Sequence, residues 1–177
     1  MKKSIALSIA LLFGLGGLFA QAQKIGYVDT NLILEKIDEY SRAQQEIDRI
    51  SKQWQDELEK KYSAIEDLYA NYQAQEVLLS EDVKRQRQEE IFQTEREAKE
   101  FREKKFGYEG ELFQLQEARV KPIQDKVFKA VEKIADRKRY AFVFDKSGEV
   151  TWLFTNAQYD LTDEVLEEMG VKKEGNN

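Results

Sequence analysis

The chain has 177 residues, 35% charged and 41% apolar, with one Pro, nine Gly and neither Cys nor His; its 28 basic and 34 acidic residues give a net charge of −6. Without imidazole or thiol there is no histidine base, no thiolate nucleophile, no zinc site of the usual ligand types and no disulfide. A charged fraction this far above the usual ~25%, with so little Pro and Gly, points to long amphipathic helices rather than a loop-rich sandwich.

Residues 1–22 read as a cleaved export signal. Lys2 and Lys3 give a positive start, Ile5 to Ala20 an apolar run, and Ala20-Gln21-Ala22 a small-x-small cleavage site. The run is short for a membrane span and contains Gly14-Leu15-Gly16-Gly17. No Cys stands at the junction to carry a lipid. Residues 23–177 keep 26 basic against 34 acidic residues, a net charge of −8. That balance disfavours nucleic acid, whose phosphates need clustered Lys and Arg, and leaves membrane contact peripheral at most.

Lys24 to Asp29 reads as a short strand, with Asp29 or Thr30 able to cap the helix that follows. Ile33, Ile37 and Tyr40 open a helical stripe. Ile47, Ile50, Trp54, Leu58, Tyr62, Ile65, Tyr69 and Tyr72 continue it at gaps of 3, 4, 4, 4, 3, 4 and 3, the period of one helix face. The spacing predicts a helix from about Ser41 to Leu78. Ser80, followed by Glu81 and Asp82, is a good start for a second long helix. Its stripe is Ile91, Ala98, Phe101, Tyr108, Leu112 and Leu115, with a second row at Phe92, Phe106, Phe113 and Val120. Gly107 and Gly110 suggest a bend or a close backbone approach, and Pro122 a kink or restart before Ile123, Val127, Val131 and Ile134.

The C-terminal part changes period. Tyr140, Phe142 and Phe144 alternate as in a strand. Asp145 to Gly148 is turn chemistry, with Gly148 able to take positive φ, and Val150, Trp152 and Phe154 alternate again. A short helix from Asp160 or Thr162 to Met169 ends at Gly170. The expected fold is mainly α with a small β body. Residues 23–40 and 120–171 make the association body, 41–119 form an inserted antiparallel helical-hairpin (coiled-coil) arm, and 172–177 are a disordered tail. Ile25, Tyr27, Phe142, Phe144, Trp152 and Phe154 are the expected body core. Three short strands cannot close a barrel and leave edges exposed, so several chains are expected to pool them.

The chain resembles the Skp/OmpH family of periplasmic chaperones. The segments that carry the likeness are Lys24-Ile25-Gly26-Tyr27-Val28-Asp29, Tyr140 through Gly148, and Asp160-Leu161-Thr162-Asp163-Glu164-Val165-Leu166, with the heptad-rich middle between them. The resemblance implies a homotrimer whose strands pool into a barrel and whose helical arms enclose a cavity. It also implies an ATP-independent periplasmic holdase that captures unfolded outer-membrane proteins. Well-known relatives are strongly basic whereas this chain is acidic, which argues against attraction to anionic lipid or lipopolysaccharide, and no lipid-binding residue matches position by position. Such a protein needs no catalytic group, metal or cofactor, and no Gly-rich phosphate loop is present. Tyr69, Tyr72, Phe92, Phe106 and Phe113 are the candidate client-binding residues, with Phe101 and Tyr108 expected between the two arm helices. The alternative reading is a structural or adaptor coiled coil of the cell envelope.

Overall fold

The computed structural model describes residues 23–148 and 151–171. The expected signal segment and C-terminal tail lie outside the described residues. Strand β1, Ile25–Val28, ends at Asp29, whose carboxylate accepts the Leu32 N–H at 3.0 Å and so starts helix α1, Thr30–Glu35. Ile37 is extended, at φ −95° and ψ 112°, and separates α1 from α2, Asp38–Gln75. Asp38 and Glu39 in the first turn of α2 complement its dipole. At about 1.5 Å per residue, its 38 residues span roughly 57 Å.

A single 3-10 turn, Glu76–Leu78, and an extended Leu79 reverse the chain. The Ser80 hydroxyl then accepts the Val83 N–H at 3.5 Å, opening α3, Glu81–Phe106. Helices α2 and α3 pack antiparallel. Trp54 meets Phe106 edge-on at 6.3 Å, and the Tyr69 hydroxyl reaches Glu95 at 2.9 Å. Ile65, Ile91 and Ala98 are buried along this pair.

The chain breaks at Gly107–Gly110. Both glycines are extended, and Glu109 between them takes φ 54°. A Cβ on Gly107 would sit 2.4 Å from the Glu103 carbonyl oxygen, and one on Gly110 2.9 Å from that of Gly107. These close approaches explain both glycines. Helix α4, Glu111–Lys138, then runs through Pro122 without interruption. The restart expected at Pro122 therefore lies at Gly110. Pro122 is on the exposed side, where water can hydrate the Ala118 carbonyl that lacks its helical donor. Tyr108, expected between the helices, is 97% exposed at the break, because the heptad register counted through it does not survive the interruption.

Arg139, left-handed at φ 58°, ends α4 and leads to β2, Phe142–Asp145. The two strands are parallel, with Ile25 opposite Phe142 and Val28 opposite Asp145. On the far edge of β1, Tyr27 bridges to Asp160, and the Leu161 N–H donates to the Tyr27 carbonyl at 2.8 Å. The strand expected through Val150, Trp152 and Phe154 does not form over 151–156, and Glu149 and Val150 lie outside the described residues. Trp152 instead touches Phe144 ring to ring at 5.8 Å, without a backbone ladder. Gly148 does not adopt positive φ.

Helix α5, Thr162–Glu168, closes on Gly170 at φ 78°, with the Val171 N–H donating to the Leu166 carbonyl at 2.9 Å. The core lies between α1, α4 and α5. Ile33, Ile123, Val127, Ile134, Leu161 and Val165 are its fully buried side chains. Of the six residues expected in the body core, Tyr27 alone is buried within one chain. Ile25, Phe142, Phe144, Trp152 and Phe154 remain exposed, because the helices cover the opposite side of this two-strand sheet. No helix among the described residues is long and apolar enough to cross a membrane.

Candidate functional site

Two surfaces stand out. One is the uncovered side of the sheet. Phe142 and Phe144 stack at 6.4 Å and Trp152 extends the row; Phe144 and Trp152, with Ile25, Tyr27, Phe154 and Tyr159, line an open cavity of about 530 Å3. Phe154 is 82% exposed and Phe142 52%. This aromatic face stays uncovered among the described residues.

The other surface is on the outer half of the α2–α3 pair. Tyr69, Tyr72, Gln88, Ile91, Phe92 and Glu95 line a groove of about 350 Å3. Its position follows from helix geometry. Tyr69 and Tyr72 are one turn apart on α2, and Gln88, Ile91, Phe92 and Glu95 lie within two turns of α3. The Gln88 side-chain amide donates to the Tyr72 hydroxyl at 2.9 Å, so the tyrosines hold the groove walls. The hydrogen bond to Glu95 is the main reason that the Tyr69 phenol is pushed above its ordinary range. Phe92 is 57% exposed and presents its ring at the rim.

The five expected client-contacting residues thus separate. Tyr69, Tyr72 and Phe92 share the groove. Phe106 is half-buried against Trp54, between α2 and α3. Phe113 is exposed on the first turns of α4, beyond the break. The heptad spacing from Phe106 to Phe113 therefore does not describe one helix face. The sequence reading missed Gln88 and Glu95, although both stand one turn from Phe92 or Ile91 at the spacing that marks a shared face.

Charge is arranged around the break in α3–α4. The Lys105 ammonium pairs with Glu111 and lies 4.5 Å from the Trp54 ring centre, while Lys104 reaches Glu111 at 3.6 Å. The hydrogen bond from Lys105 is the main reason that the Glu111 carboxyl is held below the usual range. No group of His, Cys, Asp and Glu among the described residues is arranged to hold a metal ion.

The described residues thus form long paired helices on a small mixed core. The family profile described as "Outer membrane protein (OmpH-like)" matches residues 24–169, and the chain belongs to that family. No curated protein matches it in sequence. Among solved structures, it is similar to a candidate outer membrane chaperone (OmpH-like) from Caulobacter crescentus. The TM-score is 0.64 and the identity 11%, over 88% of this chain and 89% of that one. At that identity the likeness speaks for the fold.

Proposed function

We propose that this protein is an ATP-independent periplasmic holdase that binds unfolded outer-membrane proteins and prevents their aggregation. Membership of an OmpH-like family supports the chaperone class. The observation that carries the finer reading is the set of exposed aromatics on the α2–α3 pair and the start of α4. Tyr69, Phe92 and Phe113 are 42%, 57% and 48% exposed among charged neighbours. Scattered apolar contacts of this kind bind an unfolded chain weakly at many points, which keeps the client mobile and releasable.

In this reading the α2–α3 pair, with the start of α4, is an arm, and the remaining residues are an association body. The exposed faces of Phe142, Phe144, Trp152 and Phe154 support pooling of the body strands in a homotrimer, with the arms around a shared cavity. Burying such aromatic area is worth roughly 25 cal/mol per Å2, and closing the sheet removes its edges. The export signal at residues 1–22 would deliver the chain to the periplasm.

The test is dilution of a urea-unfolded outer-membrane barrel protein with and without residues 23–177, in the absence of nucleotide. Light scattering should fall to a plateau at a fixed ratio of assembled protein to client. Phe92→Ser should raise the residual scattering. An assembled protein that leaves scattering unchanged at every ratio would sink the holdase and favour an envelope adaptor.

A further inference from the structure

The charge of the helix pair is not evenly spread. Residues 41–61 and 101–119 together carry nine acidic and nine basic side chains, whereas residues 62–100 carry ten acidic and five basic. From Tyr62 to Val83 there is no Lys or Arg, while Glu66, Asp67, Glu76, Glu81 and Asp82 fall in that stretch. The aromatic groove sits in this outer, negative part. Glu95 lines it, Glu66 stands one turn before Tyr69, and the Tyr72 hydroxyl donates to Glu76 at 3.4 Å.

Four of the five bases in residues 62–100 are engaged with acids beside them, and the fifth, Lys99, stands one turn after Glu95. Lys84 pairs with Glu81 at 2.8 Å, Arg85 with Asp82, Arg87 with Glu90 at 2.8 Å, and Arg96 with Glu100 at 3.7 Å. The surplus negative charge is therefore left around the groove on Glu66, Asp67, Glu76 and Glu95. We propose that the groove of Tyr69, Tyr72 and Phe92 selects unfolded polypeptide segments in which Lys or Arg flank aromatic or aliphatic residues. The apolar side chain lies on Phe92 and the tyrosine rings, and the flanking cations face the acidic rim. The same field disfavours acidic segments and anionic lipid surfaces. This proposal rests on the holdase reading and names the client chemistry of one part of it.

The experiment uses residues 23–177 and two labelled, unstructured peptides with identical apolar positions, one with Lys and the other with Glu at every spacer. Fluorescence anisotropy at low salt should show the Lys peptide binding roughly tenfold tighter, the ratio a few exposed ion pairs supply. Raising the salt to about 1 M, where the screening length is about 3 Å, should bring that ratio towards one. Phe92→Ser should weaken both peptides. In the combined Glu66→Gln, Glu76→Gln, Glu95→Gln variant, whose changes are on exposed side chains, the Lys peptide should bind several-fold more weakly and the ratio of the two affinities should fall towards one. Equal binding of the two peptides, tighter binding of the Glu peptide, or a preference unchanged in that variant would overturn the proposal. If scattering is suppressed without a charge preference, the holdase stands and this selectivity falls. If the Lys peptide binds preferentially without suppression, the groove stands and the holdase falls.

Discussion

Asp145 ties the end of β2 to the start of α1. Its carboxylate accepts the Thr30 hydroxyl at 2.6 Å, the Thr30 N–H at 3.2 Å and the Ser147 N–H at 2.9 Å. Burial pushes this carboxyl up, but the Thr30 and Ser147 donors together outweigh it and hold it below the usual range. A depressed carboxyl adds stability above its unfolded pKa of about 3.9 and loses it as pH falls through the folded value. Asp145→Asn should therefore cost about 1 kcal/mol at pH 7, allowing for solvent screening. The gap in urea midpoint between the two proteins should close below about pH 4. A gap of unchanged size in acid would contradict this role. At Arg139, φ is 58° at a helix end that glycine usually occupies. Arg139→Gly should raise the urea midpoint by the equivalent of about 0.5–1 kcal/mol. The sequence showed the turn chemistry of Asp145 but not its hold on Thr30, which lies 115 residues away and is set by the pairing of β1 with β2.

At the scale of elements, the helices were legible because their apolar spacing repeats. The Ser80 start was legible because capping is local chemistry. The position of the break in the second limb was less so. Gly107 and Gly110 signalled a bend, but the heptad count carried Tyr108 and Phe113 across it as though the helix continued. Pro122 signals a kink or restart because proline removes a helical donor, yet its exposed position lets water take that bond and the helix continues. Pro122→Ala should therefore stabilise α4, by about 1–3 kcal/mol in urea unfolding. Gly107→Ala should do the reverse, since the added Cβ meets backbone rather than a yielding side chain. Equal stability of Gly107→Ala and the parent protein would mean that the break relaxes at no cost. The strand expected at Val150 to Phe154 was misread over its described part. Alternation shows which side chains share a face, but a ladder also needs a partner strand, and β2 takes β1 as its partner.

For the whole molecule, the core of α1, α4 and α5 holds the two chain ends together, and Ile134 is fully buried in it. Ile134→Ala should cost about 2–5 kcal/mol, read as a lower urea midpoint, with the cavity opening far from the outer groove. The aromatic row of Phe142, Phe144 and Trp152 belongs to a different account. Its exposure supports the proposed pooling of chains, because large exposed apolar patches commonly mark interaction surfaces. Periodicity marked these residues as apolar, but it does not say whether the chain's own helices cover the face they share. Phe144→Asp should leave the α1–α4–α5 core folded, by circular dichroism, while lowering the assembled mass.

The central claim is that several copies join through this sheet and hold one unfolded client between their helix pairs. Sedimentation velocity of residues 23–177, alone and with a urea-unfolded outer-membrane barrel protein diluted into it, tests that claim most directly. The account predicts a discrete trimer that shifts to one faster species containing a single client per trimer. A monomer that sediments unchanged beside aggregated client would contradict it.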